Sequence, residues 1–397
     1  MNSYMEQTEN YVLHTYNRFP VVFESGQGVY LKDTDGKEYL DFAAGIAVMG
    51  LGYHYPGFDE ALKGQIDKLI HTSNLFYNVP LGDAAEKLIR VSGMSKVFFT
   101  NSGTEAIEGA IKAAKKYAYT RDGHTDHEII AMNHSFHGRS LGALSVTGNK
   151  HYQEPFEPLL GGIRFADFND LESVKAQLTD KTCAILFETV QGEGGIYPAT
   201  QEFMDGIEKI CKERDILLIL DEIQCGMGRT GEMFAWQGYG VKPDIMTSAK
   251  ALGCGVPVGA FLMTERIAEK SLKPGDHGTT YGGNPFVGAA VSTVLDIFEE
   301  LNLPAHVKEI SAYLEEKLDA LVDKYDCLTQ RRGVGLIQGV VTTKPVGEIT
   351  SKALEEGLLI ISAGSDVLRF VPPLVIEKEH VDEMIEKLDH TLAALSE

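Results

Sequence analysis

Between about residues 80 and 290, short apolar runs alternate with longer amphipathic stretches. Representative apolar runs lie at 97–100, 128–131, 183–187 and 216–220. Such alternation is typical of a sheet whose two faces are covered by helices. It therefore predicts an α/β domain. Polar residues that follow the strands are then expected at one edge of the sheet, where open α/β folds usually bind ligands.

The two ends of the chain differ from this central region. Residues 28–42 read as two strands around an Asp-Gly turn. In the last third of the chain, the pattern predicts amphipathic helices near 305–325, 346–357 and 378–395, and short strands at 335–341 and 358–362. We therefore predict a large central domain at 59–290 and a smaller α+β domain formed from residues 1–58 and 291–397.

Composition and charge exclude several classes of protein. The chain has 397 residues, 44% of them hydrophobic, which is enough for a large core. Its formal net charge of −21 disfavours a nucleic-acid surface, which needs concentrated Lys and Arg. The five cysteines are widely separated without a C-x-x-C motif, so neither a zinc site nor a disulfide framework is indicated. Because no signal-like N-terminus or long apolar segment is present, we expect a soluble cytoplasmic protein without a membrane partner.

A lysine and an aspartate each follow a predicted strand. Lys250 comes after the apolar stretch 243–246 and before a glycine-rich turn, and Asp221 follows the apolar run 216–220. Taken singly, a solvated lysine and a helix-capping aspartate are the ordinary interpretations. Together they offer an amine for an aldehyde and a carboxylate for a ring nitrogen, which are the two groups that pyridoxal phosphate requires.

Other polar segments fit the same chemistry, and each also has an ordinary interpretation. Residues 99–106 follow a strand and open a helix, so they suit either a phosphate site or a capping box. In the next loop, Phe136 could stack on a flat ring and Arg139 could pair with a carboxylate, or both could be structural. His134 and His137 have no evident third ligand, so no metal is expected.

Taken in chain order, these segments and others closely resemble the motifs of the class III (ω-amino) aminotransferases of pyridoxal-phosphate fold type I. The matching motifs lie at 101–106, 135–139, 191–195, 221–224, 228–231, 248–250, 277–285 and 369–373. The resemblance covers nearly the whole chain. It implies a large domain with a mainly parallel sheet between helices, and a small α+β domain built from both chain ends.

The resemblance also implies which residues bind the cofactor. Lys250 is expected to join pyridoxal 5′-phosphate and to move the proton between the substrate carbon and the cofactor. Asp221 is expected to pair with the pyridinium nitrogen. The remaining implied contacts are Gln224 at the phenolic oxygen, Phe136 on the ring, and Ser102, Gly103, Thr104 and Thr280 at the phosphate.

In this family the residue matching Thr280 comes from the neighbouring subunit, so a homodimer with isologous contacts is expected. Arg139 resembles the residue that grips the carboxylate of the amino donor, and Arg369 the residue that binds the α-carboxylate of 2-oxoglutarate or glutamate. Glu193 resembles a gate that neutralises Arg369 while the donor is bound and swings away for the dicarboxylate.

Within the family, the chain length and residues 41–48 resemble the N-acetylornithine aminotransferases of arginine biosynthesis. Ornithine δ-aminotransferases tend to carry a tyrosine near the place of Gly45, whereas a small residue leaves room for an acylated amine. The expected reaction converts N²-acetyl-L-ornithine and 2-oxoglutarate into N-acetyl-L-glutamate 5-semialdehyde and L-glutamate. The loss of one polar contact changes the discrimination between substrates by only about 1 to 3 kcal/mol. Ornithine, succinylornithine, 4-aminobutyrate and N-succinyl-diaminopimelate precursors therefore remain alternatives to N-acetylornithine.

Two other classes of function share this scaffold. A non-catalytic binding or regulatory protein would lack the lysine, the aspartate or the phosphate-loop residues, all of which are present. A pyridoxal-phosphate racemase or mutase would not need an arginine–glutamate gate. Glu193 and Arg369 therefore favour a transaminase, provided that both face the same pocket.

Overall fold

The computed structural model describes residues 2–395, and strands account for three sheets and one short pair within that range. In chain order the strands are β1 Phe23–Gln27, β2 Tyr30–Asp33, β3 Glu38–Asp41, β4 Lys96–Thr100, β5 Glu128–Met132, β6 Ile163–Ala166, β7 Thr182–Glu188, β8 Val190–Gln191, β9 Tyr197–Pro198, β10 Leu217–Asp221, β11 Ile245–Ala249, β12 Gly259–Met263, β13 Leu328–Val334, β14 Ile337–Thr342, β15 Leu358–Leu359, β16 Ile361–Ala363 and β17 Val367–Phe370.

Helices separate most of these strands. They are α1 Ser3–Tyr11, α2 Ala44–Ala47, α3 Pro56–Ile66, α4 Val79–Ser92, α5 Gly103–Asp122, α6 Leu141–Ser145, α7 Lys150–Gln153, α8 Leu171–Gln177, α9 Gln201–Arg214, α10 Ala235–Tyr239, α11 Glu265–Lys270, α12 Pro285–Glu300, α13 Leu303–Lys324, α14 Val346–Glu355 and α15 Lys378–Ala394. Two short 3₁₀ turns lie at Glu154–Phe156 and Lys250–Leu252. No helix within residues 2–395 is long and apolar enough to cross a membrane.

The central sheet has seven strands in the order β4-β12-β11-β10-β7-β5-β6. Only β12 runs antiparallel to its neighbours in this sheet. Strands β7, β10 and β11 are buried along their whole length, which explains why they read as continuous apolar runs rather than alternating ones. The predicted α/β class with a mainly parallel sheet between helices is confirmed.

The register of the sheet brings the functional strand ends together. Asp221 at the end of β10 lies opposite Glu188 of β7 on one side and Thr247 of β11 on the other. Lys250 follows β11 directly. Because parallel strands end at one edge, the polar residues after these apolar runs meet there, as the sequence pattern predicts.

Both chain ends contribute to the smaller sheets. Strands β2 and β3 pair around the predicted Asp-Gly turn, and β15 adds to β3 in parallel, so the N-terminal and C-terminal segments share one sheet. A second sheet has the order β13-β14-β17-β16. The single strand predicted at 358–362 was wrong, because this segment divides between the two sheets. The domain boundaries at residues 58 and 290 stay predictions.

One continuous apolar cluster joins these parts, with members from Val29 near the N-terminus to Leu392 in α15. A second cluster lies on the other face of the central sheet, under α5. Helix α5 approaches the sheet closely at Gly109, where a Cβ atom would stand 2.2 Å from the ring of Phe261. The site at the sheet edge therefore rests on a scaffold that is packed on both faces.

Candidate active site

A cavity of about 400 Å³ opens at the edge where β7, β10 and β11 end. Such a volume suits a small ligand or cofactor. Its lining includes these sequence-predicted residues: Ser102, Gly103, Thr104, Phe136, Arg139, Asp221, Gln224 and Lys250. The fold therefore brings together groups that lie as far apart as 148 positions in the sequence, as the difference between 250 and 102 shows.

Lys250 stands at the start of a 3₁₀ turn with a φ of 51°. This left-handed conformation is uncommon for a residue with a side chain, and such backbone strain clusters at functional sites. Removal from water lowers the pKa of the Lys250 amine to about 8, against the opposing effect of Glu193 and with a smaller contribution from Arg369. A larger share of neutral, nucleophilic amine is therefore present near neutral pH than for an ordinary lysine.

Three donors hold the buried carboxylate of Asp221. Oδ1 accepts the backbone N–H of Ile223 at 3.0 Å and the Thr247 hydroxyl at 3.1 Å. Oδ2 lies 2.7 Å from Nδ1 of His137, whose other ring nitrogen is buried without a partner. These contacts fix the orientation of the carboxylate that faces the cavity.

Glu188 is a second buried carboxyl group beside Asp221. Burial, reinforced by the charge of Asp221, raises the pKa of Glu188 well above its ordinary value. Its Oε2 accepts the backbone N–H of Phe136 at 3.1 Å. Glu188 thereby anchors the loop that presents the Phe136 ring to the cavity.

The N-terminus of α5 meets the cavity at Ser102, Gly103 and Thr104. The Ser102 hydroxyl accepts the N–H of Glu105 at 3.3 Å, so the capping interpretation of the sequence is confirmed in part. The first N–H groups of a helix have no partner within the helix. Capping by Ser102 engages only one of those groups, so the cap is compatible with the predicted anion site, which stays a prediction.

Arg369 and Glu193 form a bidentate ion pair. Nη1 and Nη2 of Arg369 donate to the two carboxylate oxygens at 2.5 and 3.1 Å, and Nη1 also donates to Oε1 of Gln224 at 3.1 Å. Burial alone would raise the pKa of Glu193, but the Arg369 charge and hydrogen bonds outweigh it and lower that pKa. The pair adjoins the cavity through Gln224, and both charges act on Lys250, but neither residue lines the cavity itself, so the role of Glu193 as a gate stays a prediction.

Arg139 is exposed and has a different environment from Arg369. Its guanidinium lies over the Tyr152 ring, 3.8 Å from the centroid, and 5.4 Å from the centroid of Phe136. Such stacking orients a cation and leaves its N–H groups available. Tyr152 gave no recognisable signal in the sequence, because the contact depends on how the loop folds back.

Thr280 is exposed and does not line the cavity of its own chain. It lies in the loop before α12, beside Thr279, whose hydroxyl accepts from the Asn101 amide at 3.3 Å. Tyr281 in the same loop is exposed, and so are Phe76 and Tyr77 in the segment after Asn74, whose amide donates to the Thr279 carbonyl at 3.3 Å. The contribution of Thr280 to a neighbouring subunit stays a prediction.

The segment that contains Gly45 is a left-handed turn. Ala44, Gly45, Ile46 and Ala47 have φ values of 49°, 63°, 66° and 61°. Glycine suits this conformation, whereas the other three residues are strained in it. The Asp41 carboxylate holds the start of the turn by accepting the N–H groups of residues 43 and 44, both at 2.8 Å. Val48, directly after the turn, lines the cavity.

The family model described as Aminotransferase class-III matches residues 11–392. The chain belongs to the class-III aminotransferases. An acetylornithine aminotransferase of Methanocaldococcus jannaschii is 46% identical to this aminotransferase over 393 residues, which cover 99% of this chain and 98% of that protein.

Solved structures agree with this assignment. The N-acetylornithine aminotransferase from Stenotrophomonas maltophilia K279a has a TM-score of 0.85 and 37% identity, with 99% of each chain covered. An ornithine aminotransferase from Toxoplasma gondii, whose structure shows partial occupancy of PLP at its active site, has a TM-score of 0.94 and 29% identity, with 99% of this chain and 94% of that chain covered. The fold class is therefore shared across members with different donors in their names.

Proposed function

We propose that this class-III aminotransferase binds pyridoxal 5′-phosphate in the cavity and transfers the δ-amino group of N²-acetyl-L-ornithine to 2-oxoglutarate. The observation that carries the proposal is the meeting of Lys250 and Asp221 at adjacent strand ends, next to the Glu193–Arg369 pair. A non-catalytic protein would have no need for the first pair of residues. A racemase would have no need for the second pair.

The residues present fit this cofactor. One cavity of about 400 Å³ is lined by an amine with a lowered pKa, a firmly held carboxylate, an aromatic ring and a helix N-terminus. These groups match an aldehyde, a pyridine nitrogen, a flat ring and a phosphate in turn. When bound, pyridoxal phosphate supplies an electron sink for the carbon that loses its proton.

The chain supplies positioning and proton transfer. Nζ of Lys250 would hold the cofactor and, in the reaction, would carry the proton from the amine-bearing carbon of the substrate to C4′ of the cofactor. Asp221 keeps a proton on the pyridine nitrogen. Phe136 covers the ring, Gln224 donates to the phenolic oxygen, and Ser102, Gly103 and Thr104 hold the phosphate. The reaction has two half-reactions: the amino group first leaves the donor and is then transferred to 2-oxoglutarate. The buried donors around Asp221 keep its carboxylate in place during both.

Two substrates of different charge share the site through Glu193. When the amino donor is bound, Glu193 neutralises Arg369, as in the pair observed here. When 2-oxoglutarate enters, its α-carboxylate replaces Glu193 on Arg369, and Arg139 binds the second carboxylate. The exchange is feasible because 32% of the Glu193 side chain is exposed to solvent, whereas only 3% of the Arg369 side chain is exposed. The carboxylate can move into solvent and leave the arginine in place.

The name of the 46%-identical relative and the small residue Gly45 support N-acetylornithine as donor. The space beside Gly45 is open, since a Cβ atom there would meet only Val48 at 3.7 Å. This geometry leaves room for an acylated amine. With this donor the reaction belongs to arginine biosynthesis, as the sequence resemblance and the name of the relative imply.

A single-turnover experiment tests the donor. The cofactor-loaded protein is mixed with N-acetylornithine, ornithine, succinylornithine or 4-aminobutyrate, and conversion of the cofactor from its aldehyde to its amine form is followed by absorbance. We expect N-acetylornithine to react at least about tenfold faster than ornithine or 4-aminobutyrate. Faster conversion by one of the other donors would contradict the donor while preserving the transaminase. No conversion by any amine would contradict the enzyme.

The active unit is proposed to be a homodimer in which Thr280 completes the phosphate site of the partner subunit. Support comes from its absence among the residues that line the cavity of its own chain and from the exposed side chains of Phe76, Tyr77 and Tyr281, which a partner would cover. Sedimentation at dilute and concentrated protein tests this arrangement. A monomer with full cofactor affinity would contradict it.

A further inference from the structure

Arg229 is the largest fully buried side chain in residues 2–395, with 1% of its surface exposed. It follows the cofactor-binding loop that begins at Asp221, but it does not line the cavity. Within residues 2–395 it forms no ion pair, and burial lowers its pKa to about 9. A buried cation without a counter-ion is costly, so its retention calls for a specific structural reason.

The partners of Arg229 are backbone groups of the C-terminal sheet. Nη1 donates to the carbonyl oxygens of Leu336, at 3.0 Å, and of Pro372. The backbone carbonyl of Arg229 in turn accepts the N–H of Leu336 at 2.8 Å. Arg229 therefore sits between Leu336 and Pro372 and satisfies polar groups of both.

The strand register explains why these two residues need a third partner. Strand β14 pairs with β17 so that Gln338 faces Phe370, and the same register continued by two residues, just beyond the ends of both strands, sets Leu336 opposite Pro372. The N–H of Val371 points away from β14, to the carbonyl of Phe42 at 2.8 Å. Neighbouring residues of a strand alternate in direction, so the backbone groups of Pro372 point toward β14.

Proline has no N–H to donate at that position. The Leu336 carbonyl therefore lacks its ladder donor, and the Pro372 carbonyl lacks one as well because the Leu336 N–H is donated to the Arg229 carbonyl instead. The guanidinium of Arg229 supplies the missing N–H group to both. A lysine could reach these oxygens only as a point charge, whereas the planar guanidinium is held in one orientation.

Arg369 lies on β17, three residues before Pro372, and its own guanidinium bonds Gln224 of the same loop. The segment from Asp221 to Arg229 thus contacts β17 at two points. We propose that Arg229 is a positioning residue for substrate carboxylate: it closes the end of the β14–β17 ladder and thereby fixes Arg369 relative to the cofactor-binding loop. This inference rests on the carboxylate-binding role of Arg369 in the proposed function.

The test is the binding of glutarate, a five-carbon dicarboxylate without a keto group, to the cofactor-loaded dimer by calorimetry. Arg229→Met removes both donated hydrogen bonds, and we expect the glutarate Kd to rise at least about tenfold, since small displacements of a binding group are expensive. Arg229→Lys keeps the charge and one donor nitrogen but loses the planar guanidinium that fixes its orientation, and we expect it to restore part of the affinity. The amino donor requires that Glu193 neutralise Arg369, and it does not require Arg369 in one exact position. We therefore expect single-turnover rates with the amino donor to change by less than about threefold.

Arg331→Met is the matched control. Arg331 lies on β13 of the same sheet, pairs with Asp319 at 2.7 Å and donates to the Gln338 side chain at 3.1 Å, so its loss destabilises the sheet without removing a donor from the Leu336 or Pro372 carbonyl. We expect Arg331→Met to lower the Tm while the glutarate Kd stays within about twofold of the wild type.

The proposal is contradicted if Arg229→Met lowers the Tm but leaves the glutarate Kd unchanged, as the control does. If Arg229→Met does not fold, Arg229→Lys decides: an unchanged Kd contradicts the proposal and a Kd raised about three- to tenfold supports it. A wild type that binds glutarate but fails with N-acetylornithine overturns the donor and leaves the Arg229 result standing. A wild type that does not bind glutarate contradicts the role of Arg369 and this inference with it.

Discussion

The two sides of the site are built differently. The cofactor side, which we define as Asp221, Thr247 and Lys250, is held by strand ends and by short side chains that bond one another or the backbone. The carboxylate side, defined as Arg139, Glu193 and Arg369, consists of long side chains from separate loops and strands, whose charges pair with each other or stack on rings.

This difference separates chemistry from selection. Groups that must act in both half-reactions have one position, fixed by the register of a packed sheet. In the proposed function, groups that accept substrates of different charge exchange partners, and Glu193 is proposed as the exchanging group because about a third of its side-chain surface is exposed. Changes on the cofactor side should therefore affect both half-reactions equally, whereas changes on the carboxylate side should separate them.

The largest effect is expected for Lys250→Ala. Without the amine, the protein loses its covalent attachment to the cofactor and the group that moves the proton, so both half-reactions fall by at least about 10³-fold. Stopped-flow absorbance with N-acetylornithine and with glutamate measures both. Lys242→Ala, an exposed lysine before the same strand, is the control and should retain wild-type rates. A variant without Lys250 that turns over normally would refute the assignment.

A smaller loss is expected for Asp221→Asn. The amide keeps the size of the side chain but removes the charge opposite the pyridine nitrogen, so each half-reaction slows by about 10²-fold. Asp215→Asn, at the other end of β10, changes an exposed ion pair and should stay within about twofold. Loss of only one half-reaction in Asp221→Asn would break the contrast between the two sides.

Cofactor loading should depend on pH through Lys250. Its pKa is lowered to about 8 in the folded protein, and only the neutral amine attacks the aldehyde. The rate at which the cofactor-free protein takes up pyridoxal phosphate should therefore rise about tenfold per pH unit below 8 and level off above it. Mixing experiments from pH 6 to 10 provide the measurement. A rate that keeps rising to pH 10 would show an ordinary lysine.

The smallest predicted effect separates the half-reactions. Glu193→Gln cannot neutralise Arg369, so the half-reaction with N-acetylornithine should slow by about five- to tenfold, while the half-reaction with glutamate is unchanged or faster. The ratio of the two single-turnover rates reports this directly. Equal slowing of both would place Glu193 on the cofactor side instead.

Much of this arrangement was predictable because local patterns carry it. The apolar runs that became β4, β5, β7 and β10 identified the central sheet, and the polar residues after them identified the cavity. Composition and periodicity could not show which strands pair. For that reason the segment 358–362 read as one strand, although β15 joins β3 and β16 joins β17.

Supporting residues of the site were missed for the same reason. His137 bonds Asp221 across 84 positions, and Thr247 reaches it only through the pairing of β10 with β11. Arg229 gains its role from facing a proline across the end of another sheet. The motifs at 135–139 and 228–231 include His137 and Arg229, but the local sequence does not assign these contacts, because each residue acts through a partner that only the folded chain brings near.

The most direct measurement is borohydride reduction of the cofactor-loaded protein followed by peptide mapping. Reduction makes a carbon–nitrogen linkage between cofactor and lysine permanent, so the labelled peptide identifies the lysine. The predicted result is a single labelled peptide that contains Lys250, and none from the Lys250→Ala variant. A label on another lysine, or no label on a fully loaded wild type, would contradict the placement of the chemistry at the end of β11.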